Sequence, residues 1–209
     1  MFDRQTTALL RPGIDAIARQ LVRRGIAADA LTVTGFAVGV GAAVAIALQS
    51  FWLGAGLVLL SRLFDGLDGA VARLTQPTDR GGFLDISLDF LFYPSIPLAF
   101  AVADPAANAL AAAALLAAFV GTGTGFLAFA TIAAKRGLVS AAYPDKSFYF
   151  LGGLTEATET LAFFVAMCVW PAWFAPLAFV FAAMCMVTIA TRLWWGWQAF
   201  APEATVRSS

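Results

Sequence analysis

The chain has 209 residues, of which 61% are apolar and only 12% charged. Average soluble domains run at about 45–50% apolar and about 25% charged, so an ordinary soluble fold and intrinsic disorder are both excluded. Lys plus Arg (13) balance Asp plus Glu (13), which points to no nucleic-acid partner, and the absence of His removes imidazole metal sites and every His-based catalytic dyad or triad.

The first 25 residues do not read as a signal peptide, because Asp3 and Asp15 interrupt them and no apolar stretch follows. They read as an interfacial helix, occupying residues 1–28 with its connection. Pro12 suits a first helical turn, Ile14, Ile17 and Leu21 share one face, and Asp15, Arg19 and Arg23 lie off it. Beyond it, residues 30–61, 105–134 and 160–191 carry no charge at all. A membrane span needs about 20 residues. The first and third runs are therefore long enough for helix pairs with tight turns near Gln49-Ser50 and Trp170-Pro171. Six spans are expected, at 31–49, 51–73, 82–103, 105–134, 150–169 and 172–195. The predicted fold is an all-α integral membrane protein, a single domain over residues 1–209 with six transmembrane helices behind an interfacial helix. Cys168 and Cys185 fall inside apolar runs with no pairing pattern.

Basic residues set an orientation. Arg4, Arg11, Arg19, Arg23 and Arg24 precede span 1. Arg73 and Arg80 lie between spans 2 and 3, Lys135, Arg136 and Lys146 between spans 4 and 5, and Arg192 and Arg207 near the end. The opposite connections near Ser50, Asp104 and Pro171 contain no Lys or Arg. This asymmetry places both termini and the basic connections in the cytoplasm, at the inner (cytoplasmic) membrane of a cell. Trp194, Trp195 and Trp197 would then sit in the aromatic belt on that side.

The chemistry is concentrated in one window: Asp65-Gly-Leu-Asp68-Gly69-Ala-Val-Ala72-Arg73, then Gly81-x-x-x-Asp85-x-x-x-Asp89. Asp65 and Asp68 lie about 60° apart around one helix, and Asp85 and Asp89 are i, i+4 on the next. The short connection predicts that the two helices are antiparallel neighbours whose carboxylate pairs converge. Each charged Asp at membrane depth costs about 2.5–3.5 kcal/mol on insertion scales, and four together repel one another. Divalent cations remove both problems, and all-oxygen ligation selects Mg²⁺ or Mn²⁺ over zinc. Four carboxylates suit a two-ion arrangement for displacement at phosphorus. Gly66 and Gly69 would leave the helix surface bare for a ligand, and Arg73 offers a bidentate donor to phosphate. The same carboxylates admit another reading, a divalent-cation transporter or channel. Gly35-x-x-x-Gly39 and Gly121-x-x-x-Gly125 admit either a dimer face or packing within one chain.

The pattern D-x-x-D-G-x-x-A-R-x(7)-G-x-x-x-D-x-x-x-D resembles the signature of the CDP-alcohol phosphatidyltransferase family, and all eight fixed positions are present at family spacing. Its bacterial phosphatidylglycerophosphate and phosphatidylinositol-phosphate synthases are the nearest likeness. The motif covers about an eighth of the chain, and the six-span layout with a leading interfacial helix also matches. Asp29-Ala30-Leu31-Thr32 resembles the family's Pro-Asn-x-Leu-Thr entry to the first span, without its Pro and Asn. The resemblance implies that Asp65, Asp68 and Asp85 hold a pair of Mg²⁺ or Mn²⁺ ions bridging the donor pyrophosphate. Asp89 would ligate the second ion and accept the proton of the attacking alcohol. Gly69, Arg73, Thr78 and the 29–32 segment would hold the CDP-lipid, with CMP as the leaving product. It also implies a homodimer. The acceptor alcohol is left open among glycerol 3-phosphate, inositol or its phosphate, serine and others. Where the inositol-phosphate-using branch has arginines at the start of span 5, this chain reads Gly153-Leu-Thr155-Glu156-Ala-Thr-Glu159-Thr160. Lys135 and Arg192, at the cytoplasmic ends of spans 4 and 6, are the candidate acceptor-binding bases.

Overall fold

The structure, a computed structural model, describes residues 3–137 and 154–201. Lys146 and Arg207, among the predicted cytoplasmic bases, and Gly153, at the predicted start of span 5, lie outside the described residues. Within them the chain is all helical: α1 (Asp3–Arg23), α2 (Ala28–Ala47), α3 (Phe51–Leu74), α4 (Asp79–Ala103), α5 (Pro105–Lys135), α6 (Ala157–Val169), a 3₁₀ turn (Pro171–Trp173) and α7 (Phe174–Ala199).

Four stretches are long and apolar enough to cross a membrane: α2, α4, α5 and residues 171–199. The two remaining predicted spans differ for separate reasons. α3 has 24 residues, yet Arg62, Asp65, Asp68 and Arg73 interrupt its apolar character, and α6 has 13 described residues. Large side chains such as Leu48, Leu110 and Val120 are exposed on the outside of the bundle, a surface that suits lipid rather than water.

The predicted tight turns fall where expected. α2 ends with Gln49 in the left-handed region (φ 61), where the amide of Ser50 donates to Ala45 O (2.8 Å) and that of Gln49 to Ile46 O (2.9 Å). These two bonds are a Schellman termination, in a position usually given to glycine. Gln49 Nε2 also donates to the carbonyl of Ala103 (2.9 Å), tying this turn to the end of α4. Gly25 (φ 73) performs the same reversal after α1.

α1 packs on α3: Ala18, Leu31, Leu67, Ala70 and Val71 form a small core with Ile14, Leu21, Val22 and Phe64 against it. Two expectations for α1 are corrected here. Ile17 is 48% exposed and does not share the packed face, because the contact runs through Ala18, Leu21 and Val22. Pro12 lies inside the helix rather than in its first turn, since the helix begins at Asp3.

The main core runs through α2–α7 and contains Phe92, Phe100, Phe164, Phe174 and Phe181. α2 lies against both α3 and α4, α5 against α4 and α7, and α6 against α3. α3 and α4 are not the close-packed neighbours that their short connection predicts. They both lean on α2, and the gap between their polar halves is the cavity described next. Gly35 and Gly39 make this possible. A Cβ on Gly35 would lie 2.8 Å from Phe64 Cβ, and one on Gly39 would lie 2.5 Å from the Phe92 ring. This glycine pair is therefore spent on packing within the chain. Gly121 is likewise covered, by Ile189 of α7.

Candidate active site

One cavity opens between α2, α3 and α4. It is lined by Thr32, Gly35, Phe36, Ser61, Arg62, Asp65, Asp68, Asp85, Leu88 and Asp89. Asp65, Asp85 and Asp89 each offer a carboxylate oxygen, and these oxygens all lie within 4.8 Å of one another. Helical spacing explains the convergence from each side: one turn separates Asp85 from Asp89, and Asp65 meets them from the antiparallel α3. Asp68, one turn beyond Asp65, lies outside this trio but in the same cavity. It is 6% exposed, and its Oδ2 is buried with no hydrogen-bond partner. A buried carboxylate oxygen without a donor carries its full desolvation cost. Three clustered carboxylates beside a fourth with an orphaned oxygen fit a hard divalent cation, whose ligands are carboxylate oxygens.

The residue that sequence reasoning missed is Arg62. Its Nη1 donates to Asp89 Oδ1 (2.7 Å) and to Asp65 Oδ1 (3.2 Å). Its guanidinium carbon lies 4.2 Å from the centroid of Phe92 and 5.3 Å from that of Tyr93. With 13% of its side chain exposed, it is a fixed cation inside the carboxylate cluster. The signal was legible: Arg62 ends the charge-free run of residues 30–61 and stands three residues before Asp65, on the same helix face. Ser61, beside it, donates to Gly35 O (2.7 Å) and pins α3 to α2.

The other predicted positions divide into a second cluster and scattered residues. Asp29, in the first turn of α2, accepts from Arg80 Nε (2.8 Å). Thr78 caps α4 by accepting from the Gly81 amide (3.0 Å). A Cβ on Gly81 would lie 3.1 Å from Thr78 Oγ1 and 3.2 Å from Asp29 Oδ1. The starts of α2 and α4 thus meet at Gly81, where a side chain would crowd both Thr78 and Asp29. Arg73 is exposed, with Nη1 3.3 Å from where a Cβ on Gly69 would lie. Gly66 departs from the expected bare face, since Ile14 of α1 lies 3.3 Å from its Cβ position. Leu31 belongs to the small core under α1, Ala30 is exposed, and Thr32 lines the carboxylate cavity.

Arg192 and Lys135 differ from each other. Arg192, on α7, is half-buried; its Nη1 donates to Thr122 O (3.0 Å) and its guanidinium lies 5.9 Å from the Phe126 ring. Lys135 is exposed in the last turn of α5. Its neighbour Arg136 reaches the carbonyls of Ala199 and Phe200 at the end of α7.

An all-helical membrane protein with a carboxylate cavity between three of its helices is the class that fold and site define. The family model described as CDP-alcohol phosphatidyltransferase matches residues 25–195, and the chain belongs to that family and is an enzyme of its class. It is 51% identical over 197 residues to inner membrane protein YnjF of Escherichia coli, covering 94% of this chain and 96% of that one. It is 43% identical over 88 residues to archaetidylinositol phosphate synthase of Methanothermobacter thermautotrophicus, covering 42% of this chain and 44% of the relative. Among solved structures, phosphatidylinositol phosphate synthase of Mycobacterium tuberculosis with CDP-DAG bound superposes with a TM-score of 0.72 at 23% identity, covering 91% of this chain and 98% of that one. The same synthase in complex with manganese and citrate gives 0.72 at 24%, covering 91% and 93%. At these identities the likeness concerns the fold.

Proposed function

We propose that this enzyme transfers a phosphatidyl group from CDP-diacylglycerol, or a similar CDP-linked lipid, to a small polar alcohol, releasing CMP with the help of divalent cations. The observation that carries this reading is the meeting of Asp65, Asp85 and Asp89 within 4.8 Å, with Asp68 in the same cavity, in a chain that holds the whole family motif. Two Mg²⁺ or Mn²⁺ ions held by Asp65, Asp68, Asp85 and Asp89 would supply charge neutralisation at the donor pyrophosphate. Asp89 is the base that takes the alcohol's proton. Its Oδ1 is engaged by Arg62, which leaves Oδ2 to face the acceptor. A weakly acidic alcohol lacks a positioned base and stabilisation of developing charge, and these residues would provide both. Gly69, Arg73 and Thr78, with the 29–32 segment, hold the CDP portion. The Asp29–Thr78–Gly81 meeting supports this by bringing the start of α2 to the start of α4.

The reading includes six spans, a single membrane domain over residues 1–209, and α1 as an interfacial helix. From Trp173 to Trp194 there are 21 residues, about 31 Å of helix, which matches the hydrocarbon thickness between two aromatic belts. Trp52, Trp170 and Trp173 are exposed at one end, and Trp194, Trp195 and Trp197 at the other. The basic residues favour a cytoplasmic site at the inner membrane. The homodimer that the family likeness implies belongs to the same reading. Gly35 and Gly39 are not its interface, since both are covered within the chain.

For the acceptor, a phosphorylated alcohol held by Arg192 and Lys135 is favoured by the half-buried guanidinium of Arg192, about one turn or less from the Trp194–Trp197 belt. The experiment is turnover by the purified protein with CDP-diacylglycerol, Mg²⁺ or Mn²⁺ and a panel of alcohols, following CMP. Release of CMP with at least one acceptor is expected. Cation flux through vesicles without CMP release would replace this reading with the transporter.

A further inference from the structure

We infer that Arg62 is a resident third cation of the carboxylate site, a positioning residue that restricts the site to one tightly bound divalent ion until the donor's pyrophosphate arrives. The inference rests on the metal-dependent reading above. Arg62 shares one Nη1 between Asp89 and Asp65, two members of the trio that fits a metal ion. It is held there from behind by the Phe92 ring, which is itself buried and stacks edge-on against Phe164. An arginine on an aromatic face, with 13% of its side chain exposed, has little freedom to leave when an ion enters.

The consequence follows from charge. Counted as ionised, four carboxylates and one guanidinium carry three net negative charges. A first divalent ion meets three net negative charges, whereas a second meets only one and would leave the cavity net positive, so in a low-dielectric surrounding the second is held much more weakly. A pyrophosphate with two negative charges offsets the second ion. The second ion and the donor therefore bind together. Without Arg62 the same carboxylates would be neutralised by two ions, and the second ion would bind with no donor present.

The test is Mn²⁺ binding to the purified full-length protein, by calorimetry and by electron paramagnetic resonance, with CDP as the probe for the donor. The wild type should take one tight ion per chain without CDP, and a second at least tenfold more tightly once CDP is added. Arg62→Gln should take two ions without CDP, the second at least tenfold more tightly than in the wild type. Arg62→Lys, which keeps the charge, should retain the one-ion behaviour. Unchanged stoichiometry and affinity in a folded Arg62→Gln protein overturns the inference. If that variant does not fold, the wild type decides alone, and two equally tight ions in the absence of CDP overturn it. A wild type that binds no Mn²⁺ with or without CDP rejects the metal-dependent reading itself. Failure of the Arg62 assignment looks different, because Mn²⁺ binding persists.

Discussion

Where α3 begins and α4 ends, the bundle is held by aromatic stacking: Phe100 lies 4.4 Å from Phe174 and 5.6 Å from Phe51, ring centre to ring centre. Fewer than two dozen residues away on the same helices, the polar halves of α3 and α4 stand apart, with Arg62, Asp65, Asp68, Asp85 and Asp89 around a cavity. At the aromatic end rings supply most of the contact, and the polar groups among them are paired, with Asn108 Nδ2 donating to Phe100 O (3.0 Å) and Gln49 Nε2 to Ala103 O (2.9 Å). At the carboxylate end α3 and α4 are joined by charge rather than by ring contacts, Arg62 of α3 reaching Asp89 of α4 (2.7 Å) while the clustered carboxylates repel one another. What prevents it from splaying is α2, whose Gly35 and Gly39 allow α3 and the Phe92 ring to approach. The titratable groups are thus gathered at one end of α3 and α4, and the aromatic contacts at the other end help to fix the positions of the helices that carry them.

The largest test of this division is removal of metal. Thorough chelation with EDTA should silence CMP release, and added Mg²⁺ or Mn²⁺ should restore it. Activity undiminished after chelation would break the assignment of the carboxylate end to catalysis. Next, Asp89→Asn should lower kcat by about 10²–10⁴-fold, the usual cost of losing a general base, while CDP-lipid binding is retained. Retention of more than about a tenth of the activity rejects the base role.

Smaller effects sharpen the comparison. Arg192→Ala should raise the KM of a phosphorylated acceptor about ten- to hundred-fold, since a charge-assisted contact is worth about 1.5–3 kcal/mol, with the donor KM unchanged. The same value for every acceptor in the panel rejects a phosphate pocket there. At the aromatic end the expected currency is stability. Phe174→Ala removes the ring stacked on Phe100 and should cost about 3–5 kcal/mol, through lost packing and the cavity left behind. It should lower Tm while leaving kcat per folded molecule near the wild-type value at low temperature. A large kcat loss without a Tm shift would show that the two ends are not separable in this way.

Much of this molecule was legible from residue order alone. Charge-free runs of about 30 residues and the turn residues at Gln49-Ser50 and Trp170-Pro171 placed most helix boundaries within a few residues, because lipid-crossing helices must satisfy their own backbone, whereas α6 begins at Ala157, seven residues after the expected start of its span. The motif window located four carboxylates because helical spacing puts Asp65 with Asp68, and Asp85 with Asp89, on common faces. Arg62 was also within reach, as a base in the middle of a predicted span rather than at its end, but a count of apolar runs stops at it and passes on. The Asp29–Arg80 pair spans 51 residues, and no local pattern announces it.

Residue order therefore determined the helices, the sites of the turns and which side chains share a face, since these follow from local backbone geometry and from the periodicity of apolar residues. Only the tertiary structure decided that α3 and α4 meet through α2 rather than each other, that Ile14 covers Gly66, and that Arg62 reaches Asp89 across the cavity. Those outcomes depend on which surfaces fit at close range. Short connections limit the choices without selecting among them, and a glycine such as Gly39 shows its purpose only when the Phe92 ring it admits is in place.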